Sequence, residues 1–169
     1  MRKNNTDTFD FSLILPCFNE AGLFAESVAH IVAALDAGAY TYEIIFVDDT
    51  STDGTKKLIE HICKKYAFCR AIYHETNMGR GRTVMDGIQA AHADVVGYID
   101  IDCEVSPVYL PSMIAIIMQK KADIVLGKRF YRSTAGSVIR EVLSRGYQWL
   151  ADMMVGTGKL DTESGYKVF

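Results

Sequence analysis

The stretch Asp94–Asp102, DVVGYIDID in one-letter code, is an apolar run that ends in two acidic residues one position apart. Between Val95 and Ile99 it carries no charge, which is typical of a short strand that is buried on both faces. Two carboxylates at the end of such a strand repel each other unless a cation lies between them. The stretch therefore predicts a strand that delivers two acids to one edge of a sheet.

Apolar strands and amphipathic helices alternate through the rest of the chain. We predict strands over residues 11–15, 43–47, 70–74, 94–99 and 123–127, and helices over residues 23–35, 55–66, 82–91, 109–120 and 137–155. Residues 164–169 alternate in polarity like the beginning of a further strand. This order predicts an α/β fold, a mostly parallel sheet with helices on both faces in a single domain. We assign residues 1–10 to an N-terminal tail and residues 11–169 to the domain, which we expect to continue beyond its last residue.

The composition excludes several classes of protein. The chain has 169 residues and a net charge of −3, so no broad basic surface for nucleic acid is expected. Its four cysteines show no metal-binding spacing and are typical of reduced thiols in a cytoplasmic protein. No signal peptide is evident, and no run approaches the roughly 18 apolar residues of a membrane span. Acidic residues outnumber basic ones before Lys128 and the balance reverses afterwards, which suits a phosphate-bearing ligand as well as an ordinary solvated surface.

Polar motifs follow the predicted strands. Ligands of open α/β sheets bind beyond the carboxyl ends of the strands, so these motifs are expected to share one edge. They are Pro16–Glu20, Asp48–Asp49, Asn77–Gly81, Asp100–Asp102 and Lys128–Arg129.

The acidic motifs indicate a metal and a nucleotide. Asp100 and Asp102 suit a hard divalent cation, Mg²⁺ or Mn²⁺, that bridges a diphosphate and assists its departure. The alternative is a solvated loop with two acids, but the buried strand before them favours the metal. One acid of Asp48–Asp49 is expected to face a nucleotide while the other acids cap the turn, with Thr52 as a plausible cap of the next helix.

The remaining motifs have two interpretations each. Phe18 is placed to stack on a base and Glu20 to bond a ribose, or their segment is a plain loop with Asn19 as a helix cap. The glycine-rich turn Asn77–Gly81 precedes a helix whose start attracts anions, or its glycines serve only the backbone. Lys128–Arg129 is a candidate phosphate-binding pair, or surface charge.

The four histidines, His30, His61, His74 and His92, are interpreted as core or surface residues because none pairs with a nucleophile motif.

Taken together, these motifs resemble family 2 glycosyltransferases of the GT-A fold, a Rossmann-like α/β fold. The resemblance rests on Pro16–Glu20, Val47–Asp49 with Ser51–Thr55, Asn77–Gly81 and Asp100–Asp102, and it covers the chain from about Phe11 onward. Residues 127–130, 140–144 and 161–169 are similar to the dolichyl-phosphate mannose synthase branch, which uses polyprenyl phosphate acceptors.

The resemblance implies functions for individual residues. It implies that the nucleoside contacts Pro16, Phe18, Glu20, Val47 and Asp49. It implies further that the diphosphate and the metal meet Asp100, Ile101 and Asp102, with Glu104 near the metal and Arg129 on the phosphates.

The expected function is that of an inverting, metal-dependent glycosyltransferase. It moves a hexose from a GDP- or UDP-linked donor to a dolichyl or undecaprenyl phosphate, at the cytoplasmic face of a membrane that it contacts peripherally. A phosphate acceptor is ionised at neutral pH and needs no general base, in accord with the lack of an evident one.

Three alternatives stay open. A family 2 enzyme with a hydroxyl acceptor would need a carboxylate base, for which Asp161 or Glu163 is a candidate. A truncated nucleotide-binding module would bind without turnover. A nucleotidyltransferase would release pyrophosphate instead of a nucleoside diphosphate.

Overall fold

The computed structural model describes residues 9–127 and 165–169. In this part of the chain a six-stranded sheet has the order β3-β2-β1-β4-β6-β5. The strands are β1 (Phe11–Cys17), β2 (Tyr42–Asp48), β3 (Cys69–Tyr73), β4 (Val95–Ile99), β5 (Val125–Leu126) and β6 (Tyr166–Val168). The helices are α1 (Phe24–Asp36), α2 (Thr55–Lys65), α3 (Arg80–Gln89) and α4 (Leu110–Met118), with a 3₁₀ turn at Pro107–Tyr109.

The sheet is mixed but mostly parallel. β1 lies between β2 and β4 and is parallel to both, and β3 extends the parallel part beyond β2. β6 is antiparallel to both β4 and β5, between which it lies. The carboxyl ends of β1, β2, β3 and β4 therefore meet at one edge.

Alternate side chains of the central strands enter two separate cores. Leu13 and Phe46 belong to the larger core, which α1, α2 and α4 cover, whereas Ile14 and Val47 belong to a smaller core on the α3 side. α3 approaches the sheet closely there, since a Cβ at Gly87 would lie 2.5 Å from Ile14 Cγ2. The predicted α/β class, with helices on both faces of the sheet, is confirmed.

The predicted cap of α2 and the predicted first residue of α3 are wrong. Thr52 does not cap α2: the helix follows Gly54, whose φ of 104° turns the chain, and Asp53 Oδ1 accepts from the Thr55 amide at 3.0 Å. α3 begins at Arg80, two residues earlier than predicted, because Gly79 (φ 80°) completes the turn before it. The second difference places Arg80 on the first helical turn, beside the candidate site.

Some predictions concern residues outside the described ranges. They include the helix over residues 137–155 and the basic pair Lys128–Arg129. Within residues 9–127 and 165–169, no helix has the length and apolar character needed to cross a bilayer.

Candidate active site

The carboxyl edge of the sheet opens into a cavity of about 340 Å³. Its walls come from the loops after β1, β2, β3 and β4 and from the first turn of α3. The predicted site residues that line it are Pro16, Phe18, Glu20, Asp49, Asp100, Ile101 and Asp102. Asn77, Gly79 and Arg80 of the motif Asn77–Gly81 line it as well, so the structure brings four separate motifs together around one space.

The loop after β1 is fixed by hydrogen bonds to the loop after β2. Asn19 Oδ1 accepts from the Thr52 amide at 2.8 Å, and the Glu20 amide donates to Thr55 Oγ1 at 2.8 Å. Asn19 therefore joins two loops and caps no helix; α1 starts after Leu23 without a side-chain cap. Phe18 stays 49% exposed, which leaves its ring available to a ligand.

Asp49 holds the turn that precedes α3. Its Oδ1 accepts from the Met78 amide at 2.8 Å, and its Oδ2 accepts from the Gly79 amide at 2.9 Å. Burial acts to raise the pKa of Asp49, but these bonds and the bond from His74 outweigh it, so the pKa lies below its ordinary value. Asp48 is 2% exposed and does not line the cavity, so Asp49 is the acid of the pair that faces it.

The Asp100–Asp102 triplet is anchored through its central residue. Ile101 is buried in the larger core, which leaves the two flanking carboxylates at the cavity. Asp100 Oδ2 pairs with Arg80 Nη2 at 2.8 Å, and the Asp100 amide donates to the Gly165 carbonyl at 2.9 Å. Asp102 Oδ1 accepts from the Glu104 amide at 3.1 Å.

The acids around the cavity raise the affinity of Glu20 for protons. The pKa of Glu20 lies above its ordinary value, first because of partial burial and then because of the nearby Asp102, Asp53 and Asp100 carboxylates. A concentration of negative charge of this kind is stabilised by a cation.

A divalent metal fits this donor set. Among the described residues, no group of three or more acids, histidines or cysteines converges as an all-protein metal site. Mg²⁺, however, is commonly held by only one or two carboxylates together with substrate phosphates and waters. Asp100 and Asp102 supply those two carboxylates, and the cavity beside them leaves room for phosphates.

Two of the predicted residues, Val47 and Glu104, are described by the structure and do not line this cavity, and two others lie outside the described residues. The side chain of Val47 is fully buried in the smaller core. Glu104 borders a separate small hollow that it shares with Asp100 and Asp102. Lys128 and Arg129 lie outside the described residues. The functions implied for these four stay predictions.

Two residues of the site were missed by the sequence reasoning. Arg80 was quoted only as part of a glycine-rich turn, and its position on the first turn of a helix facing an acidic strand end was the available signal. His74 was interpreted as a core or surface residue, yet its Nδ1 lies 2.7 Å from Asp49 Oδ1. Its position directly after β3 was the corresponding signal.

Known proteins are similar to this chain in sequence and in fold. The family described as "Glycosyl transferase family 2" matches residues 12–167. The chain is 27% identical to a dodecaprenyl-phosphate galacturonate synthase of Rhizobium johnstonii, over 88% of this chain and 43% of that protein. It is 26% identical to an undecaprenyl-phosphate 4-deoxy-4-formamido-L-arabinose transferase of Aeromonas hydrophila, over 84% of this chain and 45% of that protein.

The chain thus spans less than half the length of these curated relatives. Among solved structures, S. aureus TarS (residues 1–349) in complex with UDP-GlcNAc superposes with a TM-score of 0.53 at 25% identity. The match covers 73% of this chain and 37% of that chain. The mostly parallel sheet with helices on both faces agrees with the GT-A fold. Because the family match extends over nearly the whole chain, this protein belongs to the family 2 glycosyltransferases.

Proposed function

We propose that this chain binds a nucleoside-diphosphate hexose together with Mg²⁺ or Mn²⁺, and that the protein transfers the hexose to a polyprenyl phosphate with inversion at the anomeric carbon. The observation that carries the proposal is the single cavity in which Asp49 and the Asp100/Asp102 pair flank the loop after β1. An apolar ring and two sets of acids around one space suit a ligand with a base at one end and a diphosphate at the other.

The two sides of the cavity differ in chemistry, and this difference orients the donor. The Phe18 ring offers a stacking surface, and Asp49 and Glu20 offer acceptors for base and ribose donors. Asp100 and Asp102 suit a metal-bound diphosphate, and the Arg80 guanidinium supplies a forked donor beside them. When bound, the metal neutralises charge on the departing nucleoside diphosphate.

The transfer needs few groups from the protein. An ionised oxygen of the acceptor phosphate attacks the anomeric carbon from the face opposite the diphosphate. The bond from that carbon to the donor phosphate oxygen breaks, and the nucleoside diphosphate leaves with the electron pair. Because the acceptor is already an anion, no residue has to remove a proton, and binding and orientation are the main tasks of the chain.

The acceptor assignment is supported by the relatives. Both curated relatives carry a polyprenyl phosphate in their names, with different sugars. Such an acceptor is membrane-bound, so we place the reaction at the cytoplasmic face of a membrane that the protein contacts peripherally.

The donor half is tested by titrating UDP, GDP and their sugars into the purified protein with and without Mn²⁺. We expect one of the two nucleotides to bind in a metal-dependent manner. Asp102→Asn should weaken the metal-dependent binding by at least about tenfold, since one of two carboxylate ligands is lost. Asp94→Asn removes an exposed acid at the opposite end of β4 and serves as the matched control.

The acceptor half is tested with a short-chain polyprenyl phosphate and a saccharide alcohol offered separately. Lipid-linked sugar and free nucleoside diphosphate are the expected products. Transfer to the saccharide alcohol alone would show that the acceptor is a hydroxyl group and not a polyprenyl phosphate. Nucleotide binding without turnover would show that the chain only binds nucleotide. Metal-independent binding, or Asp102→Asn affinity equal to that of the wild type, would overturn the metal assignment.

A further inference from the structure

His74 lies between two carboxylates behind the wall of the cavity. Its Nδ1 is 2.7 Å from Asp49 Oδ1, and its Nε2 is 3.2 Å from Asp86 Oδ2, within ion-pair range. The His74 side chain is 9% exposed and that of Asp49 is 5% exposed. Asp86 belongs to α3 and also pairs with Arg82, so the imidazole lies between the end of β2 and the helix behind the turn.

The contact with Asp49 defines where a proton resides on the ring. The hydrogen bonds to Asp49 keep its pKa low, so the carboxylate is ionised and only accepts. The His74 nitrogen that faces it at 2.7 Å must therefore carry a hydrogen. A histidine with a proton on Nδ1 donates to Asp49 whether or not Nε2 is protonated as well.

This bond restricts the Asp49 carboxylate to one orientation. Rotation of the group would break the bond from His74 together with those from the Met78 and Gly79 amides. The same bonds hold the turn from which Arg80 enters the cavity. A buried donor that fixes a site carboxylate in this way preorganises the site before the ligand arrives.

We propose that His74 is a positioning residue for the donor, which holds Asp49 and the Met78–Gly79 turn in the arrangement that binds the nucleoside. The inference rests on the proposed function, because it takes Asp49 as part of the nucleoside site. It assigns to His74 an effect on donor affinity and not on the transfer step, which takes place at the Asp100/Asp102 side of the cavity.

The test compares two substitutions of His74. His74→Ala removes the donor to Asp49, and we expect nucleotide affinity to fall about tenfold, as for the loss of a hydrogen bond to a charged group. The amide nitrogen of Asn occupies nearly the place of Nδ1, so His74→Asn should restore affinity to within about threefold of the wild type. Turnover at saturating donor should change little in either variant, while the KM for the donor follows the affinity.

The matched control is His92→Gln. His92 also pairs with an acid, Glu43, but at the opposite end of the sheet from the cavity, so its loss reports any general effect on stability. Thermal unfolding of each variant shows whether it is folded. If His74→Ala is not folded, His74→Asn and a ¹⁵N NMR spectrum of the wild-type imidazole, with a proton expected on Nδ1, decide the question.

The outcomes separate the two proposals. A wild-type protein that binds neither UDP nor GDP contradicts the proposed function. If the wild type binds and His74→Ala binds equally well, only the assignment of His74 is wrong. The assignment is also overturned if His74→Asn binds as weakly as His74→Ala, or if Nδ1 carries no proton.

Discussion

Arg80 and Asp100 meet at the cavity and join the start of α3 to the end of β4. The Arg80 side chain is 49% exposed, so it can turn from the carboxylate toward a bound phosphate at little cost in packing. Among the described residues that line the cavity, Arg80 is the cationic one, while Glu20, Asp49, Asp100 and Asp102 are acidic. A guanidinium in this position both reduces repulsion among the acids and offers a fork to a diphosphate.

We therefore expect Arg80→Gln to weaken binding of the nucleoside diphosphate by about tenfold, the usual effect of losing a charged hydrogen bond. Affinity for the free nucleoside should be unchanged, because the guanidinium faces the diphosphate side. Calorimetry with both ligands measures the difference. Lys57→Gln removes the same charge from the exposed side of α2 and is the control. Equal losses for both ligands would show a structural effect instead.

At the scale of elements, a polar cluster around Glu43 connects the first three strands by hydrogen bonds. It lies at the end of the sheet that is remote from the cavity. Glu43 of β2 is 1% exposed. It accepts from Ser12 Oγ of β1 at 2.6 Å, from Arg70 Nε of β3 at 2.7 Å and from the His92 amide at 2.8 Å. Because loss of these bonds would leave the buried Glu43 carboxylate without partners, this cluster favours the observed alignment of the strands.

The cluster makes stability dependent on pH. Burial acts to raise the pKa of Glu43, but the bonds from Arg70, Ser12 and His92 outweigh it, and the folded-state pKa lies below its ordinary value. The folded state therefore binds fewer protons than the unfolded state. The contribution of Glu43 to the stability of the folded state is complete above the pKa of the unfolded state, about 4.3. It is lost as the pH falls through the lower pKa of the folded state.

We expect Glu43→Gln to lower the free energy of unfolding by about 2 kcal/mol at neutral pH, and less in acid. Urea unfolding at several pH values measures this difference. Glu60→Gln, which changes an exposed acid of α2, should leave stability unaltered. If the loss of unfolding free energy in Glu43→Gln stays constant as the pH falls, Glu43 is not the source of the pH dependence.

At the scale of the whole molecule, residues 165–168 contact the site that residues 16–102 line. β6 lies beside β4, and the carbonyl of Gly165 accepts from the amide of Asp100. The backbone passes so close that a Cβ at Gly165 would overlap the Asp100 carboxylate and approach Arg80 Nη2. A glycine is therefore required at this position for the Asp100–Arg80 pair to form as it does.

Gly165→Ala should displace the Asp100 carboxylate and weaken metal-dependent nucleotide binding by about tenfold, with a smaller effect on folding because the carboxylate is able to rotate away. Gly22→Ala is the control, since a Cβ there meets no atom within 4 Å. Titration with Mn²⁺ and nucleotide compares the two variants. Unaltered binding by Gly165→Ala would show that Asp100 tolerates displacement.

The sequence by itself determined the α/β class, the family and the motifs at the carboxyl edge. Apolar strands such as Glu43–Val47 and the acids after Ile99 are local signals: the period of the side chains and the charge at a strand end can be read without knowing any contact. The rule that parallel strands share a carboxyl edge then brought the motifs together.

Only the tertiary structure decided which partners these residues have. The pairing of Asp49 with His74, that of Asp100 with Arg80, and the entry of β6 between β4 and β5 join residues that are 20 to 71 positions apart. Such contacts depend on the direction in which each element enters and on which helix covers which face, and no local pattern encodes either. The acids of the site were therefore evident from their positions, whereas the contacts of the histidine and the arginine that hold them became evident only in the folded chain.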